Sequence, residues 1–327
     1  MVGSGARPGK HTIVVGPGHD GERLDRVLVE RLAADGIELS RKAVQRLVVS
    51  GSVSMDGRVR TFPSATVVTG SRLVCDLDRD GHRHRGPGRA GRPDADRAAA
   101  TPVVTALGED VVRYEDDWII VVDKPAGLPT HATIDPGRPH LHGLVAELLA
   151  RRDGAGDERP YLAVHHRLDR DTTGLVLFAK DRSANAALAE AFAGRQVVKE
   201  YLAVCRGTFG QGSWTVRDHL GRLSPPDRTA RYGRVRSGGS LAETGFRVVR
   251  RGAGGTALVE ARPRTGRTHQ IRVHLAGGGT PIVGDELYGG APGPRVLLHA
   301  RGLSLPHPCR AGTVSVQAPT PEDMRLD

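Results

Sequence analysis

The ten residues His165-His166-Arg167-Leu168-Asp169-Arg170-Asp171-Thr172-Thr173-Gly174 constrain this chain more than any other stretch. They run directly into Leu175-Val176-Leu177-Phe178-Ala179, an unbroken apolar segment that reads as a core strand. A charged surface loop costs little. A loop that stops against a core strand must satisfy every polar group it carries inward. Two readings follow from the residues alone. In one, Asp169 or Asp171 caps a structural turn and Thr172-Thr173-Gly174 is ordinary turn chemistry. In the other, the carboxylates, the arginines and the imidazoles form a site.

The string HHRLDRDTTGLVLFAK resembles the signature of the RluA-type pseudouridine synthases, whose HRLD core carries one essential aspartate. Other blocks follow that family in the same order: Asp123-Lys124-Pro125-Ala126-Gly127, Lys199-Glu200-Tyr201 and Gly266-Arg267-Thr268-His269-Gln270. A long ordered match is far more specific than one short motif. Thr173 stands where many relatives carry serine, which keeps the hydroxyl. The segment from Leu223 to Val235, with Ser224-Pro225-Pro226, fits only loosely, and loops that differ in this way choose substrates.

Residues 1–20 are Gly-rich and polar and read as a flexible lead. Gly9-Lys10 is followed by His11, which breaks the phosphate-loop pattern. Residues 21–77 read as a small α/β unit. Leu24, Val27, Leu28 and Leu32 mark one amphipathic helix; Ser40 caps a second, with Ala43, Val44, Leu47 and Val48 as its stripe and Gly51 as its stop. Short strands are expected around residues 52–55, 66–68 and 72–75. This segment resembles the alpha-L RNA-binding motif through Arg23-Leu24-Asp25, Ser40-Arg41, Gly51-Ser52-Val53 and Gly70-Ser71. The resemblance makes Arg41, Lys42 and Arg46 RNA-binding candidates, contacting phosphates without reading sequence. Residues 78–103 are a charged Gly/Pro/Arg linker without periodicity; His82-Arg83-His84 has no further ligands to make a metal site.

From residue 104 one large domain is expected to run to 327. Trp118 to Val122, Lys199 to Cys205, Gly255 to Arg262, Val296 to Leu305 and Thr313 to Gln317 read as strands, and Ser183 to Gly194 as a helix. Thr265 to Ala276 reads as a turn entering a helix. These lengths mix without regular βαβ alternation, so the fold class is α+β, a mixed and mostly antiparallel sheet flanked by helices.

The formal charge is +10, and the run from Arg79 to Arg97 carries only +3 of it. A basic excess spread along the chain favours a polyanionic partner, RNA being the case the motifs support. The cysteines, Cys75, Cys205 and Cys309, form no CxxC pair, which excludes a zinc ribbon or disulfide framework and suits a reducing compartment. No run approaches the ~18 apolar residues of a membrane span. A cytoplasmic, monomeric protein without membrane contact is expected.

Converting uridine to pseudouridine breaks the glycosidic C–N bond and rejoins the base through carbon. Nothing is consumed, so no cofactor or metal is required. The chemistry needs a carboxylate, a cation to hold it ionised and aimed, and extrusion of the base from its stack. The resemblance makes Asp169 the catalytic carboxylate and Tyr201 the aromatic residue that stacks on the base or moves a proton. Arg267 is taken as the ion-pair partner of Asp169, with Arg272 as runner-up. Arg167 is the candidate to fill the gap left by the flipped base, and Lys124 and His269 are placed at the RNA-binding rim. The enzyme implied is an isomerase acting on RNA, with ribosomal RNA preferred because of the N-terminal unit. Two alternatives remain: a non-catalytic RNA-binding or ribosome-assembly protein, which would not need Asp169 and Tyr201, and a base-releasing hydrolase, for which only Asp171 is a nearby second carboxylate.

Overall fold

The computed structural model describes residues 9–60, 63, 65–77, 104–133, 137–154, 160–225 and 230–326. The 78–103 linker and residues 1–8 of the expected lead lie outside them. The chain divides into two compact units, residues 1–95 with 224–230, and residues 96–223 with 231–327.

In the first unit, β1 (Lys10–Val14), α1 (Leu24–Ala34), α2 (Arg41–Val49), β2 (Val53–Met55), β3 (Arg58–Arg60) and β4 (Arg72–Asp76) build a sheet ordered β1-β4-β2-β3 with two packed helices. The expected helical stripes meet: Leu24, Val27, Leu28 and Leu32 pack with Val44, Leu47 and Val48 in one core. The Ser40 hydroxyl accepts the Ala43 N–H at 3.3 Å, capping α2 as read from the sequence. The lead is corrected at residues 10–14. These form β1, paired antiparallel with β4, because Ile13 and Val15 alternate into the core at 3% and 2% exposure. The strand expected at 66–68 reduces to one bridge, Arg23 to Thr66.

The second unit holds β5 (Val112–Glu115), β6 (Ile119–Lys124), α3 (Leu141–Asp153), β7 (Ala163–Val164), β8 (Thr173–Ala179), α4 (Ala184–Ala193) and β9 (Val198–Arg206). There follow β10 (Ser213–Arg222), β11 (Tyr232–Arg234), β12 (Ser240–Arg251), β13 (Thr256–Pro263), α5 (Gln270–Gly277), β14 (Leu298–Pro306) and β15 (Thr313–Gln317). Among the described residues the strands join in one sheet ordered β11-β10-β12-β13-β9-β14-β8-β6-β5, with β15 beside β14 and β7 beside β8. The β14–β8 ladder is parallel and its neighbours β14–β9 and β8–β6 are antiparallel, so the sheet is mixed.

The apolar runs of β6 and β8 are continuous because both faces of the sheet are covered there. Ile120, Val122, Val176 and Phe178 face a core that includes Leu144, Val145 and Leu148 of α3 and Ile271 and Leu275 of α5. Ile119, Val121, Leu175 and Leu177 face Ala184, Leu188 and Ala191 of α4. The polar stretch 165–172 therefore lies between β7 and β8 and leads into a strand covered on both faces and flanked by β14 and β6. No helix among the described residues is long and apolar enough to cross a membrane.

Candidate active site

Asp169 sits in the loop entering β8, and that loop is tied down on several sides. The Thr130 hydroxyl donates to the Leu168 carbonyl at 2.9 Å and accepts the Leu168 N–H at 3.1 Å. The Thr172 N–H closes a turn on the Asp169 carbonyl at 3.2 Å. Nε2 of His166 accepts the Leu177 N–H at 2.9 Å, and burial pushes that imidazole down to about 3. His165 Nε2 lies 3.0 Å from Asn185 Oδ1, and both histidine rings stack against Phe192 of α4. The adjacent histidines are thus packing and anchoring groups.

Lys124, expected at the RNA-binding rim, has 0% exposure. Its ammonium donates to the carbonyls of Pro125, Leu128 and Arg170 at 2.9, 2.9 and 2.8 Å. It is an internal clamp between the turn after β6 and the Asp169 loop. Burial lowers it to about 7, against the pull of Asp171 and Asp169. No RNA phosphate reaches it there, and the rim assignment is corrected.

The ion pair is corrected as well. The guanidinium of Arg272, not that of Arg267, meets Asp169: Nη1 donates to Oδ2 at 3.1 Å. Arg272 also donates from Nε and Nη2 to the two oxygens of Asp285, at 2.7 and 2.8 Å. A planar fork held bidentately by a buried carboxylate has the directions of its three remaining N–H bonds fixed. Arg267 instead spends its Nε on the Leu241 carbonyl at 3.0 Å and its backbone N–H on Gln270 Oε1 at 3.0 Å. The physical reason is the start of α5. Gln270 opens it with a buried, anchored side chain, accepting from Thr265 Oγ1 (2.7 Å) and donating to the Glu243 carbonyl (3.0 Å) and Thr244 Oγ1 (2.8 Å). The helix therefore begins after Arg267, and Arg272 falls on its pocket-facing side.

Asp169, Tyr201, Arg272, His269, Arg267 and Arg167 line one cavity of about 340 Å³. Nε2 of His269 lies 3.7 Å from Asp169 Oδ2. Tyr201 comes from β9, paired with Ala261 and Ala300, and is 9% exposed. Burial and then the Asp169 charge push its phenol up, so it meets the cavity protonated. Arg167 is exposed at the cavity wall. Asp171 is turned to Arg170 at 3.0 Å, and it does not line this cavity.

Sequence reasoning missed Asp285, Tyr288 and Thr130. The block Pro281 to Gly289 shows only glycine punctuation in the sequence, yet it carries the second carboxylate of the site. Its signal is Gly284 before Asp285: φ is +80°, and a Cβ there would lie 1.7 Å from the Arg295 carbonyl oxygen.

In the first unit, Asp25 is fully buried and accepts from Arg23 Nε (2.9 Å), Arg41 Nε (3.1 Å) and Gln45 Nε2 (2.7 Å). Burial raises its carboxyl, but these donors outweigh burial and hold it well below the usual range. Arg41 is accordingly a clamp between α1 and α2 that still exposes 58% of its side chain. Arg46 is exposed, and the side chain of Lys42 lies outside the described ones.

Residues 118–277 match the RNA pseudouridylate synthase family. The chain is 34% identical over 324 residues to ribosomal large subunit pseudouridine synthase D of Xanthomonas campestris, covering 93% of this chain and 87% of that protein. The corresponding protein of Salmonella typhimurium is 32% identical over 329 residues, covering 96% and 91%. Among solved structures, human RNA pseudouridylate synthase domain containing 4 is similar with a TM-score of 0.54 and 27% identity, covering 66% of this chain and 90% of that one.

Proposed function

The chain belongs to the RluA-type RNA pseudouridylate synthase family, and from that premise we propose that ribosomal RNA is its substrate and Asp169 its reacting carboxylate. The reaction class is isomerisation of uridine to pseudouridine in RNA. In that exchange the bond from ribose C1′ to N1 of uracil breaks and a bond from C1′ to C5 forms. The base loses its C5 proton and gains one at N1, so atoms balance without a co-reactant.

The observation that carries the reading is the chain of contacts Asp285–Arg272–Asp169 at the cavity wall. Arg272 sets its guanidinium against Asp169 and aims it next to the extruded nucleotide, where a carboxylate can attack or stabilise the electron-poor centre. Oδ2 takes the Arg272 contact; Oδ1 has no hydrogen bond among the described residues and is the oxygen offered to substrate. Tyr201 stacks on the flipped base as a protonated phenol, and Arg167 occupies the vacated stack. The exposed basic side chains of the first unit, Arg46 and the free side of Arg41, supply phosphate contacts that position the RNA. The names of the relatives, with coverage of nearly the whole chain, support ribosomal over transfer RNA.

The test is pseudouridine mapping of ribosomal RNA from cells lacking this gene, complemented with wild type, Asp169→Asn or Arg272→Lys. Wild type restores the lost sites and Asp169→Asn restores none. In purified form Arg272→Lys, which keeps the charge but loses the fork, falls on the order of 10²-fold in kcat/KM, about 2.7 kcal/mol of barrier. Rescue by Asp169→Asn would remove Asp169 from the chemistry. Sites lost from transfer RNA alone would reject the ribosomal substrate.

A further inference from the structure

Tyr288 touches both groups that hold Asp169. Its hydroxyl is 2.8 Å from Nδ1 of His269, and its ring lies beneath the Arg272 guanidinium, 5.1 Å from centroid to Cζ. The same hydroxyl accepts the Tyr232 backbone N–H at 2.9 Å. His269 is gripped edge-on by two rings, Tyr232 and Tyr288, each at 5.6 Å between centroids. Its backbone is left-handed, φ 57° and ψ 17°, a conformation that non-glycine residues hold only when their surroundings impose it. These features fix the ring in one place, between Tyr288 and Asp169.

A phenol has one proton to give, and the Tyr288 oxygen already receives one from Tyr232. Among the described residues its one acceptor is Nδ1 of His269. Donation of that proton to Nδ1 uses both groups, and a neutral imidazole with Nδ1 accepting carries its hydrogen on Nε2. Nε2 is the nitrogen turned to Asp169 Oδ2, 3.7 Å away. Burial lowers His269 from its usual value, against the pull of Asp169, which favours the neutral ring.

We propose that Tyr288 is a positioning residue for the isomerisation: it fixes His269 as the Nε2–H tautomer, so that an N–H dipole and the Arg272 guanidinium converge on Oδ2 and leave Oδ1 of Asp169 to the substrate. With the opposite tautomer a lone pair would face the carboxylate and turn it. His269 thereby acts on Asp169 rather than on RNA, which revises the rim role expected from the sequence. The inference rests on Asp169 being the reacting group.

The test uses the full-length enzyme on an RNA that it modifies. Nitrogen-15 spectra of the imidazoles, with His269→Gln to assign the signal, should show His269 protonated on Nε2 in wild type. In Tyr288→Phe, which keeps the ring and its contact with Arg272, that preference is lost. Tyr288→Phe should lower kcat about tenfold with KM within about twofold, a small part of what a direct donor supplies. His269→Gln places an amide N–H near the same point, so adding Tyr288→Phe to it should cost less than about twofold more. A wild-type Nδ1–H signal overturns the proposal, as does a loss confined to KM or one undiminished in the His269→Gln background. Asp169→Asn is assayed alongside. If it stays active, the reading of Asp169 itself has failed; if it is inactive, those outcomes count against Tyr288 alone.

Discussion

Lys124 is among the largest fully buried side chains, and its ammonium meets three carbonyls instead of RNA. A lysine beside a turn reads as exposed by default, and its burial depends on residues 46 positions away. Buried histidines follow the same rule and make stability pH-dependent. His299 is 0% exposed, and burial pushes it down to about 4; His166 is down to about 3. In the unfolded chain both titrate near 6.5. Between the folded and unfolded values the unfolded chain binds more protons, so stability falls as pH drops from about 6.5 to about 4. Urea midpoints measured from pH 7 to 4 should fall accordingly, and His299→Gln should remove up to about 3 kcal/mol of that fall. An identical pH slope in the variant would show that His299 is not the group responsible.

At the scale of elements, β8 explains why the site is where it is. Gly174 has φ +110°, and a Cβ there would lie 2.3 Å from the Ala300 carbonyl oxygen and 2.6 Å from the Ala300 nitrogen. It lets β8 approach β14 in parallel, with His299 opposite Thr173, just after the Asp169 turn. Gly174→Ala must part those strands. We expect a loss of roughly 1–3 kcal/mol, typical of overpacking, and a lower kcat, read by thermal unfolding and a single-turnover assay. Unchanged stability would mean that the backbone shifts freely there. The strands β6, β8, β9, β13, β14 and β15 are legible as apolar or alternating runs, because burial on one or both faces writes that pattern. β10 and β12 are not: their inward positions include Asp218, Ala242 and Thr244, which leave a weak hydrophobic alternation. Sequence reasoning also missed α3, although Leu141, Leu144, Val145, Leu148 and Leu149 recur there at helical spacing.

At the scale of the molecule, the two units hold separate cores, and the cavity with Asp169 is lined entirely from the second. A protein cut to residues 104–327 should therefore keep kcat on a short uridine-containing oligonucleotide within about twofold. Its binding to large RNA should weaken and depend less on salt. The slope should drop by roughly 0.9 for each duplex phosphate that the protein no longer neutralises, taking the B-form value as a guide. Affinity and salt dependence equal to those of the whole protein would remove the first unit from RNA positioning.

Neighbours along the chain settle what is legible in the residues alone. The motif strings, the continuous strand after Gly174 and the helical stripes of the first unit each depend on residues within about ten positions, and they lead to the family, the α+β class and Asp169. Tertiary structure decided which cation meets that carboxylate. Arg267 and Arg272 are five positions apart, and the choice turns on where Gln270 starts a helix and on Asp285, 116 residues beyond Asp169, gripping the fork. Charge pairing across such separations is fixed by packing geometry, to which the local pattern carries no direct reference.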